Sequence, residues 1–162
     1  MKRLLASAAL TFAAAAFAQE AAAPAPEAPP SAEVIKQVVE FLEHGKDRGP
    51  ALIDAVPCLK VDQTKGSPTQ FQCLEPVTGP VSKGTTVFAW LQWYVPKDGK
   101  YEDITIQVLH GSEIRQTIDL PLSGFGRTRG WRGANLSKPG KWTFKIRKGD
   151  RELGAASVDV AG

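Results

Sequence analysis

The chain has 162 residues, 43% in the apolar set and 23% charged, a balance that fits one globular domain and excludes a disordered polymer or a multidomain machine. Its formal charge of +3 owes much to Lys2 and Arg3; without residues 1–18 the count is 18 basic against 17 acidic, which gives no basis for nucleic-acid binding. The charge is uneven along the chain: residues 19–78 carry 5 basic and 9 acidic side chains, residues 79–162 carry 13 and 8.

Lys2-Arg3, the apolar run from Leu4 to Phe17 and the small-x-small site Ala16-Phe17-Ala18 ahead of Gln19 read as a secretory signal peptide, residues 1–18. The run falls short of the ~20 apolar residues of a membrane span, and no second run of that kind follows, so no transmembrane segment is expected after cleavage. No cysteine sits at the cleavage point to carry a lipid. The protein is therefore expected outside the cytoplasm, periplasmic or secreted in a bacterial cell.

Residues 19–31 form a Pro/Ala-rich linker, part of the run QEAAAPAPEAPPSA, with four prolines and no β-branched or aromatic residue. Such a segment buries too little to offset its ordering entropy and reads as a semi-extended tether. Ser31 then stands at a helix N-cap position, and Ile35, Val38, Val39 and Leu42 follow at i, i+3, i+4 and i+7, with Gly45 as a stop. This predicts one amphipathic helix from Ala32 to His44, packed on its own domain. Pro50 predicts a second short helical turn through Ala51 to Val56, ended by Pro57, so residues 32–57 read as a helical segment ahead of a sandwich domain over 58–162.

From Cys58 the periodicity becomes alternating. Leu59 to Val61 and Thr69 to Leu74 predict a hairpin around the polar loop Asp62 to Pro68. Thr85 to Val95 is apolar on both faces, Val87, Ala89, Leu91, Trp93 and Val95 on one, Phe88, Trp90 and Tyr94 on the other, as a central strand requires. Further strands are predicted at Ile104 to Leu109, Ile114 to Leu120, Trp131 to Leu136, Lys141 to Arg147 and Ala156 to Val160. About seven short strands without alternating helices predict a mainly β fold, an immunoglobulin-like antiparallel β-sandwich preceded by one amphipathic helix; a small barrel or jelly roll is the alternative.

Cys58 and Cys73, the only cysteines, stand at the outer ends of the predicted hairpin and predict a structural disulfide. No C-x-x-C occurs, and His44 and His110 offer no metal-ligand spacing, so no metal and no cofactor is expected. His44 suits a helix carboxyl end and His110 a hairpin turn. No G-x-S-x-G, H-E-x-x-H, Walker or dinucleotide motif is present, and the neighbours Glu102 and Asp103 face opposite ways at a strand entrance, so no catalytic residue is assigned.

The aromatics allow two readings, core plugs or a stacking platform. Trp93 and Trp142 read as core; Trp90 and Trp131 stand between the two. Gly124 to Gly133 reads as an exposed loop in which Arg127, Arg129 and Arg132 flank Trp131, a composition suited to an anionic or planar ligand, with a plain solvated connection as the other reading. Arg127, Arg129, Trp131, Arg132 and Trp90 are thus the candidate ligand-binding residues.

Residues 87–160 resemble the bacterial family described as domain of unknown function 2914. The likeness rests on the Trp93 strand, on Arg127 and Arg129 preceding a strand, and on Pro139-Gly140-Lys141-Trp142 leading into another. It continues through the Gly149-Asp150 turn, Leu153-Gly154 and a final strand, with Val158-Asp159-Val160 standing where the family pattern has Phe-x-Val. The resemblance implies a small extracytoplasmic β-sandwich module and transfers no catalytic residue. Together these readings predict a non-catalytic exported binding module for an envelope protein or glycan. An assembly component of an envelope complex is the alternative, followed by an exported enzyme or inhibitor.

Overall fold

A computed structural model describes residues 29–44 and 49–162 of the chain. The signal segment 1–18 and the linker as far as residue 28 lie outside the described residues, as do the side chains of Leu42 and His44. Ten strands follow one helix: α1 (Ala32–His44), β1 (Ala51–Val61), β2 (Cys73–Pro76), β3 (Thr86–Val95), β4 (Lys100–Tyr101), β5 (Ile104–His110), β6 (Glu113–Asp119), β7 (Leu122–Ser123), β8 (Gly126–Asn135), β9 (Gly140–Lys148) and β10 (Arg151–Val160).

The helix begins where Ser31 caps it: the Ser31 hydroxyl accepts the Val34 N–H at 3.3 Å, and the Ser31 carbonyl accepts the Ile35 N–H at 3.0 Å. Its buried face, however, is rotated from the predicted one. Val34 and Val38 are half-buried and Phe41 is buried, its ring 5.8 Å from Tyr94 in an edge arrangement, whereas Ile35 and Val39 are 50% and 44% exposed. Val34, Val38 and Phe41 make their own i, i+4, i+7 stripe, and seating the large Phe41 ring outweighs burying the smaller aliphatics beside it.

The helical turn expected from Ala51 to Val56 is not formed. That stretch is the first half of β1, so the helical segment ends at His44 and the sheet begins at Ala51, before Cys58. Pairing with β3 from Ala51↔Tyr94 to Cys58↔Phe88 overrides the local signal of Pro50. Pro57 is tolerated because its carbonyl accepts the Val77 N–H at 2.9 Å, which puts its missing N–H on the side away from β3. The returning strand of the hairpin also starts later than expected, at Cys73, because residues 65–72 are spent in turns.

Two four-stranded antiparallel sheets result, sheet A in the order β2-β1-β3-β8 and sheet B in the order β10-β9-β5-β6. Setting aside the short β2, these are the A-B-E and G-F-C-C′ orders of an immunoglobulin-like sandwich. A two-stranded pair, β4 with β7, ties two connections together at one end, and a parallel bridge from Val81 to Val160 holds the last strand. The core lies between the sheets. Val87, Ala89, Leu91, Trp93 and Val95 of β3 meet Ile104, Ile106 and Val108 of β5, Trp142, Phe144 and Ile146 of β9, and Val158 and Val160 of β10. Trp93 is fully buried there, and Trp142 is buried with its indole N–H donating to the Lys138 carbonyl at 2.9 Å, so both are core, as expected.

Cys58 and Cys73 form a disulfide. It lies within the β1–β2 hairpin, unlike the bridge that joins the two sheets of antibody domains, and it marks the chain as one suited to an oxidising compartment. Among the described residues no helix is long and apolar enough to cross a membrane.

Candidate functional site: the outer face of sheet A

The Gly124 to Gly133 stretch is mostly strand, and this changes what its side chains can do. β8 pairs with β3 over its full length, so Arg127, Arg129, Trp131 and Arg132 stand on a ladder and not on a loop. Gly133, which looks like loop punctuation, serves close packing. A Cβ on Gly133 would come within 2.9 Å of the Phe88 ring, whereas one on Gly130 would meet Leu120 at an ordinary contact distance of 3.4 Å.

Opposed residues of an antiparallel ladder share a face. Trp90 opposes Trp131, Gln92 opposes Arg129 and Tyr94 opposes Arg127, while on the other side Val56 opposes Trp90 and Asp54 opposes Gln92. The outer face of sheet A therefore carries a row of acid, amide and guanidinium, Asp54, Gln92 and Arg129, across three strands. Gln92 is only 4% exposed, and its side-chain carbonyl accepts from Arg127 Nη2 at 2.9 Å. Four of the five candidate residues thus come together. The fifth does not: Arg132 opposes Ala89 on the core side, and its guanidinium reaches the Asp119 carbonyl at 3.2 Å and the Trp131 carbonyl at 2.9 Å, bridging the edge between β8 and β6.

The tryptophans of this face are already engaged. Trp90, 7% exposed, forms a satellite core with Cys58 and Val61, against which Val56, Cys73, Phe88 and Trp131 pack. The connection 62–72 folds over them: Trp90 Nε1 donates to the Phe71 carbonyl at 2.7 Å, and the Phe71 ring lies 5.5 Å from that of Trp131. Phe71 adopts φ 67° to present its ring and carbonyl this way. Asp62 organises the connection, accepting from the Thr64 N–H at 2.8 Å and the Thr69 hydroxyl at 2.7 Å. The Ser67 hydroxyl, the Thr64 N–H and the Thr69 hydroxyl together hold the Asp62 carboxyl well below the usual carboxylate range.

Beside Trp90 the face opens into a groove of about 400 Å³, floored by Ile53, Asp54, Trp90, Gln92 and Arg127 and walled by Pro29, Pro30 and Ser31. The sequence singled out Trp90 and Arg127 but missed Gln92, which strand alternation places on the Trp90 face of β3, and Ile53 and Asp54, which only the β1–β3 pairing brings beside them.

The other candidate positions have structural roles. His110 Nε2 is 2.8 Å from the Pro139 carbonyl and its ring is 4.9 Å from that of Trp142. Asp103 pairs with Lys148 at 2.7 Å. Among the described residues no three His, Cys, Asp or Glu side chains are grouped as a metal site would need.

The fold defines the class: an antiparallel β-sandwich of immunoglobulin-like strand order. No protein-family model matches the chain, and neither does any curated protein sequence. Among solved structures it is similar to an immunoglobulin-like protein from Pseudomonas aeruginosa, at 14% identity and a TM-score of 0.43, over 72% of this chain and 100% of that one.

Proposed function

We propose that this chain is an exported, non-catalytic binding module of the bacterial envelope that engages a protein partner through the outer face of sheet A. The observation that supports it is the groove itself, where Asp54, Gln92 and Arg127 sit on a rigid sheet beside apolar Ile53 and Trp90. A protein is favoured over a glycan because Trp90 is buried under the 62–72 connection and Trp131 packs against Phe71, so that this tryptophan pair is engaged within the fold. The Lys2 to Ala18 export signal, the Pro/Ala-rich tether and the Cys58–Cys73 disulfide support an extracytoplasmic location, periplasmic or secreted. On this reading the resemblance of residues 87–160 to domain of unknown function 2914 marks a scaffold shared with that family.

The test is capture from the source envelope extract by the immobilised chain starting at Gln19, with retained protein and sugar analysed separately. Arg127→Lys keeps the charge and a donor for Gln92 and should leave capture intact, whereas Arg127→Glu, which removes both, should abolish retention of the stoichiometric partner. Undiminished retention by that variant would overturn the assignment of the site, and retained glycan in place of protein would overturn the choice of partner.

A second reading, an assembly component docking through α1, is favoured by the exposed Ile35 and Val39. On that reading Ile35→Ser with Val39→Ser releases the partner and Arg127→Glu does not.

A further inference from the structure

We propose that β8 is a docking edge for a second copy of this chain: two copies pair antiparallel along it about a twofold axis at Trp131, joining their A sheets into one.

β8 is the outermost strand of sheet A on its side. A bare edge is a template for pairing, and proteins blunt it with short strands, bulges, proline or covering chain. Among the described residues the other three edges of the two large sheets carry such devices. β2 is four residues long and ends in Pro76, β6 and β10 pair with register shifts, and Val81 bridges onto Val160 of β10. β8 runs for ten residues, pairs with β3 without a shift and holds no proline. Between its edge at 128–132 and the connection 120–123 a slot of about 250 Å³ stays open.

The direction of the edge groups follows from one bond. The Leu136 N–H donates to the Thr85 carbonyl at 3.0 Å, which makes the adjoining pair, Thr86 with Asn135, a non-hydrogen-bonded one. Alternation along the unshifted ladder then turns the N–H and C=O of Arg127, Arg129, Trp131, Gly133 and Asn135 away from β3. Arg132 bears this out, since its Nη1 reaches the Trp131 carbonyl at 2.9 Å from the edge side. That carbonyl keeps a second lone pair for an incoming N–H.

The side chains then choose the register. Centred on Trp131, a twofold pairing opposes Arg127 to Asn135, Arg129 to Gly133, Arg132 to Gly130 and Thr128 to Ala134. No like charges meet, each arginine faces a glycine or an amide, and the two half-buried Trp131 rings meet on the axis. Every other centre that sets outward groups against outward groups leaves Arg127 or Asn135 without an opposite residue in β8. Centres at Arg129 and Arg132 also set an arginine against itself. Residues 127–135 form a seam about 30 Å long. The axis stands perpendicular to the sheet, so both outer faces look the same way and the pair presents two grooves side by side to a partner.

The test follows the chain starting at Gln19 over concentrations from about 1 μM to about 1 mM. Light scattering should show monomer passing to dimer. Hydrogen exchange should slow with concentration at the Trp131 and Gly133 amides, while those of Gly130 and Arg132, which face β3, stay unchanged. Asn135→Lys sets a like charge against Arg127 of the second copy and should raise the dimer dissociation constant about ten-fold; adding Arg127→Glu to it should restore the parent value. A monomer throughout, or a dimer whose Trp131 and Gly133 amides do not slow, would overturn the proposal. Equal dissociation constants for the parent, the single and the double variant would overturn the register.

Discussion

Asp62 and Gly133 carry consequences larger than their size. Asp62 gathers the turns of the 62–72 connection through hydrogen bonds that favour its charged form, so its pKa is lower in the folded chain than in the unfolded one. A depressed carboxyl contributes stability that is fully present above its ordinary value of 3.8 and is lost as pH falls below that value toward the folded pKa. Urea unfolding at pH 7 should therefore show Asp62→Asn less stable than the parent, with the difference shrinking below about pH 4; a pH-independent difference would remove the carboxylate from this role. Gly133 acts by absence, since a Cβ there would meet the Phe88 ring at 2.9 Å and the Thr86 methyl at 3.3 Å. Gly133→Ala should cost about 1–3 kcal/mol in a denaturant titration, as overpacked sites do.

At the scale of elements, the helix and the central strand were legible and the paired segments beside them were not. Ser31 and the spacing of the apolar residues mark α1 from Ala32 to His44, and double-faced apolarity marks β3. β1 was hidden because Pro50 and Pro57 are local helix punctuation, while its strand character comes from pairing with β3, from Ala51↔Tyr94 to Cys58↔Phe88, far along the chain. β8 was hidden because its glycines look like loop punctuation, while Gly133 answers to Phe88, a partner that sequence spacing does not name. The stretch read as a loop is a strand, and its alternation sets Arg127, Arg129 and Trp131 on the face of Trp90 while it turns Arg132 to the opposite side. The hairpin that shields Trp90 depends on its disulfide, which closes a loop with a sequence separation of 15. Cys58→Ser with Cys73→Ser should lower stability by about 3 kcal/mol in guanidinium unfolding, and Trp90 emission should shift toward that of a wet indole. Phe41→Ala should raise amide exchange throughout α1 and leave β5 and β9 protected, because the helix is anchored on sheet A by that ring and the sandwich core is closed without it.

For the whole molecule, the two outer faces offer different chemistry on one scaffold. Sheet A presents the groove, floored by residues of β1, β3 and β8 and walled by Pro29, Pro30 and Ser31. Sheet B presents polar alternation along β9, where Lys145 pairs with Glu152 at 3.1 Å and the Arg147 guanidinium is held by the Gly149 and Asp150 carbonyls. The most direct test places a photo-crosslinking amino acid at Asp54, in the groove, and separately at Gln107, which opposes Lys145 on the outer face of sheet B. Irradiated in the source envelope, the Asp54 position should yield a discrete protein adduct that disappears in an Arg127→Glu background, and the Gln107 position should yield none. Adducts from Gln107 alone, or from both positions irrespective of Arg127, would contradict the assignment of sheet A as the binding surface.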